Sequence, residues 1–291
     1  MRSRLKDFGL FYLTLILAIA TIFVFYLLAQ NKDKVLTFAM LDVGQGDALF
    51  IESPTGVQVL VDGGPKNNIL QALPQVMPFW DKTLNALIIT NPDADHIGGF
   101  GSILDTYKVD MVFEPGTHNG SLLYKNIYKK IKEKDIAHIL LRRGMRIDMG
   151  GEVYLDVLFP DREVFDWSTN DGSAVMRLVY GDQSILLSGD ATVKTESLVV
   201  ANNPKEILDS DILKVGHHGS RTSTSANFVE TVTPMYALIS SGEGNSYGHP
   251  HSEVLNTLAN SKAQIMSTDE LGNIIFKCAK IGECKIKKSK N

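Results

Sequence analysis

Cysteine is nearly absent: Cys278 and Cys284 are the two in 291 residues, close together near the C-terminus. One pair without a CxxC motif argues against a disulfide-dense scaffold and against a cysteine-ligated structural zinc. In an exported chain the pair would close a terminal β-hairpin as a disulfide; the alternative is two idle thiols. An excess of charge of either sign is missing too. A net charge of −4 is too small to point to nucleic acid or any other partner, so support for one must come from local patches. There is no internal repeat and no low-complexity segment. With 44% hydrophobic and 21% charged residues the composition is that of a folded chain rather than a disordered one.

What is present begins with an uninterrupted apolar run. Residues 8–29 carry no charged side chain, and roughly 20 apolar residues are enough to cross the hydrocarbon core. Arg2, Arg4 and Lys6 outnumber Asp7 ahead of the run, whereas Lys32 and Lys34 flank Asp33 behind it. The positive-inside bias then keeps the N-terminus in the cytoplasm and exports the rest, as in a single-pass protein of the cell membrane. A cleaved signal peptide ending near Ala29 is the competing reading, but its apolar core is usually only about 7–15 residues. The expected organisation is a cytoplasmic end (1–7), an anchor (8–29), a linker (30–35), one globular domain (36–276) and a basic tail (277–291). The tail lysines, Lys277, Lys280, Lys285, Lys287, Lys288 and Lys290, read as a solvated end, with a nucleic-acid contact as the alternative.

Strand-like runs rich in β-branched and aromatic residues follow the linker: VLTFAML, ALFIES and VQVLVD, broken by GQGD and SPTG turns. The continuous apolar run LNALIIT reads as a buried strand. Later strands are expected at VDMVF, YLDVLF, AVMRLVY, SILLSGD, DILKV, YALISS and AQIMST. Helices are expected near 67–80, 97–107, 122–134, 191–201 and 252–259. Hairpins followed by alternating strands and helices predict an α/β (α+β) domain with helices outside a mixed sheet or a pair of sheets.

The chemistry concentrates where these apolar strands end. Thr90-Asn91-Pro92-Asp93-Ala94-Asp95-His96-Ile97-Gly98-Gly99 places two carboxylates and an imidazole between a strand and a helix start. Such a set suits Zn²⁺, Mn²⁺ or Fe, the carboxylates leaning toward harder ions; an Asp-rich helix cap is the bland reading of the same loop. SILLSGD delivers Asp190, DILKVGHHGS delivers His217 and His218, and SSGEGNSYGHPH delivers His249 and His251. Five of the seven histidines fall in these motifs, which scattered structural histidines would not do.

The series D-x-D-H-I-G-G, S-G-D, H-H-G-S and G-H-P-H resembles the metallo-β-lactamase superfamily. DVGQGD at 42–47, LVDGG around Asp62, KVGHHGS and YGHPH are similar to the soluble C-terminal domain of the ComEC-type DNA-uptake proteins, over residues 36–276. The many-helix channel of those proteins is absent from this chain. The resemblance implies an αββα sandwich, here preceded by one transmembrane helix, with metal bound at one edge. It implies Asp93, Asp95, His96, Asp190 and His249 as metal ligands, Asp190 bridging. Asn91 stands where the superfamily usually has a histidine and is a weaker ligand. Asn170 and Ser173, in N-D-G-S, and His251 are expected to support the site without binding metal strongly. No organic cofactor is implied.

The expected chemistry is metal-dependent hydrolysis of a phosphodiester in DNA outside the membrane, in a competence-like role beside a separate channel protein. Asp95 would orient the nucleophile, and His217 or His218 would steady developing charge or protonate the leaving oxygen. Mn²⁺ is the first choice and Zn²⁺ the second, with one tight ion and a weaker second one. Arg142, Arg143, Arg146 and Lys214 are candidate DNA contacts. The rival functions are hydrolysis of a small ester, lactone or nucleotide on the same fold, and a non-catalytic, membrane-anchored binding module.

Overall fold

The computed structural model describes residues 2–30 and 35–289, with side chains described from residue 9 to 25 and from residue 35 onward. Two compact units result, one ending at Lys34 and one beginning at Val35. The first is a helix, Arg2–Gln30, on which the expected anchor at 8–29 falls. Its described side chains, from Gly9 to Phe25, are all exposed. Among the described residues no helix is long and apolar enough to cross a membrane, so the anchor rests on the sequence argument alone. The expected linker residues 31–34, the side chains of Arg2, Arg4, Lys6 and Asp7, and Lys290 lie outside the described residues.

Among its described residues the second unit has fifteen strands. The first six are β1 (Leu36–Met40), β2 (Leu49–Glu52), β3 (Gln58–Val61), β4 (Thr83–Ile88), β5 (Lys108–Glu114) and β6 (Ala137–Leu140). The next seven form another sheet: β7 (Arg146–Asp148), β8 (Val153–Phe159), β9 (Val175–Tyr180), β10 (Gln183–Leu187), β11 (Ile212–Lys214), β12 (Tyr236–Ile239) and β13 (Gln264–Ser267). The chain then returns to the first sheet with β14 (Ile274–Cys278) and β15 (Lys285–Lys288). The sheet orders are β15-β14-β1-β2-β3-β4-β5-β6 and β13-β12-β11-β10-β9-β8-β7.

Successive strand side chains point to opposite faces, and the apolar runs exploit this to feed three cores. Phe38, Met40, Leu49, Ile51, Val59 and Val61 meet Leu155, Met176, Leu178, Ile185 and Leu187 between the sheets. The alternate residues Ala39, Phe50 and Leu60 face the other way, onto Phe100, Ile103, Leu104, Ile127 and Ile131 of the helical layer. In the second sheet Leu186, Leu213, Ala237 and Ile239 pack on Val199, Phe228, Val229, Val254 and Leu258. Three cores between four layers make an αββα sandwich, which accounts for strands that are apolar on both faces.

Every strand expected from sequence is present, as are the five expected helices, with shifted bounds. The first of those helices is short, Ile69–Ala72 followed by a 3₁₀ turn at Leu73–Gln75. Strands β6 and β7 carry no clear sequence signal because they are only four and three residues long and mostly exposed. The expected end of the domain at 276 also moves. Lys277 and Cys278 finish β14, and Lys285–Lys288 is the edge strand β15 rather than a solvated tail. Exposed lysines suit an edge strand because they discourage pairing with a further chain. Cys278 and Cys284 form a disulfide that closes this hairpin. Its loss releases loop-closure entropy, so Cys278→Ser is expected to lower the unfolding free energy by about 2 kcal/mol. Urea titration of both proteins, with and without reductant, checks this; an unchanged midpoint on reduction would count against it.

Candidate metal centre

Strands β1, β3, β4 and β5 run in one direction in the first sheet, and β10 to β13 are parallel in the second. Loops leaving parallel strands gather at one sheet edge, and here the edges of the two sheets meet. Asp47 follows β1, Asp62 follows β3, and Asp95 and His96 follow β4. Asp190 follows β10, and His217 and His218 follow β11. The loops brace one another through the backbone: Asp47 N donates to Asp95 O (3.2 Å), Gly63 N to His96 O (2.6 Å) and Gly64 N to Asp47 O (2.7 Å). Gly46 sits so close to the Asp95 carbonyl that a side chain there would collide with it. His217 and His218 both have left-handed backbones (φ 47° and 54°). Such strain costs roughly 1–3 kcal/mol per residue and persists only where the surroundings enforce it; here it turns two adjacent imidazoles toward one edge.

Asp95, His96, Asp190 and His218 bring four ligand atoms within 4.8 Å of one another. His96 Nε2 lies 3.0 Å from Asp190 Oδ2, and His218 Nε2 lies 3.3 Å from Asp95 Oδ2 and 3.7 Å from Asp190 Oδ1. His96, His218 and Asp190 are buried, and His96 Nε2, His218 Nε2 and Asp190 Oδ1 have no hydrogen-bond partner. Buried polar atoms are otherwise almost always paired, so converging unpaired imidazole and carboxylate atoms fit a divalent cation.

The far side of the His96 ring is fixed by a carboxylate, and that of His218 by a backbone carbonyl with a carboxylate beside it. His96 Nδ1 is 2.8 Å from Asp62 Oδ2, and Asp62 itself accepts from Thr90 N (2.8 Å) and Thr90 Oγ1 (2.6 Å). His218 Nδ1 is 3.0 Å from the Ser240 carbonyl and 3.3 Å from Asp47 Oδ1. Carbonyl and carboxylate only accept, so both Nδ1 atoms carry hydrogen and both Nε2 atoms face the cluster. Carboxylates behind ligating histidines set the tautomer and raise ligand basicity.

Lys214 supplies a built-in positive charge. It is fully buried; its ammonium donates to Gly189 O (2.7 Å), pairs with Asp47 and stands 3.8 Å from Asp190 Oδ1. Burial works to discharge it, yet Asp47 and Asp190 hold its pKa above the ordinary lysine value. Burial would also raise Asp47, but Lys214, His218 and His96 outweigh it and hold that carboxyl at about 2. For His218 burial is outweighed by Asp190 and Asp47, which lift it to about 9. Asp47, Asp62 and His96 form a second group spaced for a cation, and Lys214 already places one against it.

The remaining sequence candidates fall outside the four-residue group. Asp93 gives one oxygen to Asn119 Nδ2 (3.0 Å) and the other to Thr169 Oγ1 (2.7 Å), so it ties two further loops to the metal loop. Asn91 Oδ1 accepts from Asp93 N (2.9 Å), shaping the turn. Ser173 Oγ accepts from Asp190 N (3.0 Å) and positions that strand end. Asn170 lies in the same loop, its side-chain oxygen buried without a partner. His217 is held by Thr222 Oγ1 (2.9 Å), its Nε2 3.8 Å from Asp190, and burial pushes its pKa down. His249 stands beside it, ring centroids 5.7 Å apart, and burial with His217, His218 and His251 pushes it down to about 4. His251 accepts from Arg221 N (3.3 Å).

Asp47, Asp62 and Lys214 were not assigned site roles from sequence, although the first two end the DVGQGD and LVD motifs. Lys214, a candidate DNA contact by its charge, is buried, and that excludes the role. Arg146 is occupied by Asp156, and Arg142 by the carbonyls of Pro115 and Leu141. Arg143 is bound to Asn202 and Asn203.

Residues 41–243 match the family model of the metallo-beta-lactamase superfamily. Over 255 residues the chain is 31% identical to ComE operon protein 3 of Bacillus subtilis, an alignment covering 82% of this chain and 32% of that protein. It is 28% identical over 242 residues to competence protein ComA of Neisseria gonorrhoeae, covering 81% and 31%. The chain thus spans about a third of these relatives' length. The metallo-beta-lactamase fold protein YhfI of Bacillus subtilis superposes with a TM-score of 0.52 at 12% identity, covering 79% of this chain and 95% of that one, a likeness of fold.

Two outcomes separate the roles assigned above. Asp62→Ala should weaken divalent-metal affinity by about 10–100-fold, whereas Asp93→Ala should keep the metal stoichiometry of the parent; calorimetric titration of metal-stripped protein reads both, and loss of the ion in Asp93→Ala would return Asp93 to the ligand set. Lys214→Met leaves the Asp47 carboxylate buried without its cation, a change that typically costs about 3–5 kcal/mol. Chemical denaturation measures it, and a cost below about 1 kcal/mol would mean that the histidines satisfy Asp47 unaided.

Proposed function

The chain belongs to the metallo-beta-lactamase superfamily as a metal-dependent hydrolase, and we propose that it is a phosphodiesterase that cuts DNA outside the membrane, anchored through residues 8–29. The observation that carries this reading is the buried group Asp95, His96, Asp190 and His218 with its unpaired inward atoms. The DNA part is supported by similarity to proteins whose names record competence. A separate channel protein would then be the partner that carries DNA.

Asp95, His96, Asp190 and His218 would hold the ion. Two carboxylates and two imidazoles suit Mn²⁺ or Zn²⁺, and we take Mn²⁺ first. When bound, the ion supplies Lewis acidity toward water and a phosphoryl oxygen. The chain's own residues do the rest. Asp62 keeps His96, and the Ser240 carbonyl with Asp47 beside it keeps His218, in one tautomer and orientation. Asp95 is the partly exposed carboxylate of the four, so it is the one able to accept a hydrogen bond from an entering nucleophile. His217 faces the same edge with its Nδ1 fixed by Thr222, leaving Nε2 to hold or deliver a proton to the leaving oxygen. Lys214 offsets one of the carboxylates from within, which lowers the negative charge that a bound ion must balance.

The test uses labelled single- and double-stranded DNA with metal-stripped protein restored with Mn²⁺, Zn²⁺ or Mg²⁺. Cleavage that needs both an ion and Asp190 is expected, with Asp190→Ala inactive. Full activity in Asp190→Ala would overturn the site, and metal binding without cleavage of any DNA would turn the reading toward a small substrate or a binding role.

A further inference from the structure

Two histidine–aromatic stacks adjoin the loops that carry the metal group, and no core accounts for either. Among the described residues of the second unit, the exposed phenylalanine, tyrosine and tryptophan side chains are Phe79, Trp80, Phe165 and Tyr247. Phe79 and Trp80 precede β4 and so lie at the sheet end opposite the site. Phe165 and Tyr247 are 60% and 65% exposed, and neither contributes to the three hydrophobic cores.

Phe165 stacks on the exposed His118 with centroids 5.1 Å apart and planes within 23°. This pair is fastened to the metal loop from both of its own loops. His118 precedes Asn119, whose Nδ2 donates to Asp93 Oδ1 (3.0 Å) and to Pro92 O (3.2 Å). Phe165 shares a loop with Thr169, which donates to Asp93 Oδ2 (2.7 Å). Asp93 in turn immediately precedes the short helix Ala94–Ile97 that bears Asp95 and His96. Tyr247 stacks on His249 at 5.6 Å and 24°, and His249 adjoins His217 of a different site loop. The exposed Arg221 lies on this second side, its N–H donating to His251.

Leaving large apolar rings in water forgoes roughly 25 cal/mol for each Å² left uncovered, so a ring that is held in place yet uncovered is suited to a ligand with a flat face. In both stacks one face is taken by a histidine, and most of the Phe165 or Tyr247 side chain stays exposed. Unpaired nucleobases bind proteins by stacking on such rings, whereas bases inside a duplex are covered by their neighbours. A phosphodiester reaching the buried metal group between the stacks would carry its flanking bases past both of them.

We infer that the Phe165–His118 and Tyr247–His249 stacks are base-stacking subsites that hold single-stranded nucleic acid on either side of the scissile phosphate. The inference rests on the DNA phosphodiesterase reading and gives it a substrate form, an unpaired strand. The expected dependence is on bases rather than on sequence, because every base offers a π-face.

The experiment measures fluorescence anisotropy with full-length, metal-stripped protein in detergent, using a labelled oligothymidylate and an abasic strand of equal length. The oligothymidylate should bind at least about tenfold tighter than the abasic strand, and Phe165→Ala or Tyr247→Ala should each weaken it by about tenfold with little effect on the abasic strand. Phe165→Trp should restore binding, and Phe79→Ala, remote from the site, should match the parent. Equal affinity for the two strands, unchanged affinity in both alanine variants, or an equal loss in Phe79→Ala would each overturn the subsites. If the parent still cleaves DNA in an Asp190-dependent way, the phosphodiesterase reading survives that result. A parent that neither binds nor cleaves DNA would remove both.

Discussion

The contact between Lys214 and Asp47 is the interaction on which the rest of the site depends. Four carboxylates, Asp47, Asp62, Asp95 and Asp190, converge where two sheets meet, and three of them are almost fully buried. Packing so much negative charge out of water is prohibitive unless compensating charge is part of the fold. Lys214 provides it from the end of a central parallel strand, touching Asp47 and standing near Asp190. With Asp47 held ionised, His218 has a fixed acceptor behind it, and its other nitrogen is free to face the cluster.

The two sheets contribute unequal parts to that arrangement. The first supplies the orienting carboxylates and one ligating loop, the second supplies Asp190, the paired histidines and the lysine. Neither sheet has a complete metal group alone. The core between the sheets therefore does more than stabilise: it sets the spacing at which His96 and Asp190, on different sheets, stand 3.0 Å apart. Close packing transmits small displacements, which makes residues far from the edge relevant to its geometry.

Asp93 illustrates how one side chain type serves two purposes in one loop. It shares the D-x-D-H motif with Asp95, and both are carboxylates, yet one converges on the metal group while the other is saturated by Asn119 and Thr169. The difference is direction. Asp93 is the extended residue ahead of the short helix Ala94–Ile97, whereas Asp95 lies within it, so their side chains leave the loop on different sides. The tie made by Asp93 is also what brings Phe165 and His118 to the edge of the site.

Much was legible in the chain itself, for physical reasons that can be named. Apolar runs that alternate between two cores had to be strands, and polar motifs at their ends had to gather at one edge, because parallel strands end together. The superfamily, the sandwich and Asp95, His96 and Asp190 as ligands come instead from the resemblance of those motifs to a known family, in which His217 and His218 are expected to be catalytic rather than ligating; the fold sets His218 beside the other three. The tertiary structure alone decided which of His217 and His218 turns inward, because the choice depends on a left-handed turn and on acceptors 22 and more residues away. It alone made Lys214 an internal counter-ion rather than a surface cation, because burial is a property of the neighbours and not of the residue. The same holds for Asp62 behind His96, 34 positions apart in sequence, since linear order carries no measure of the distance that the fold closes.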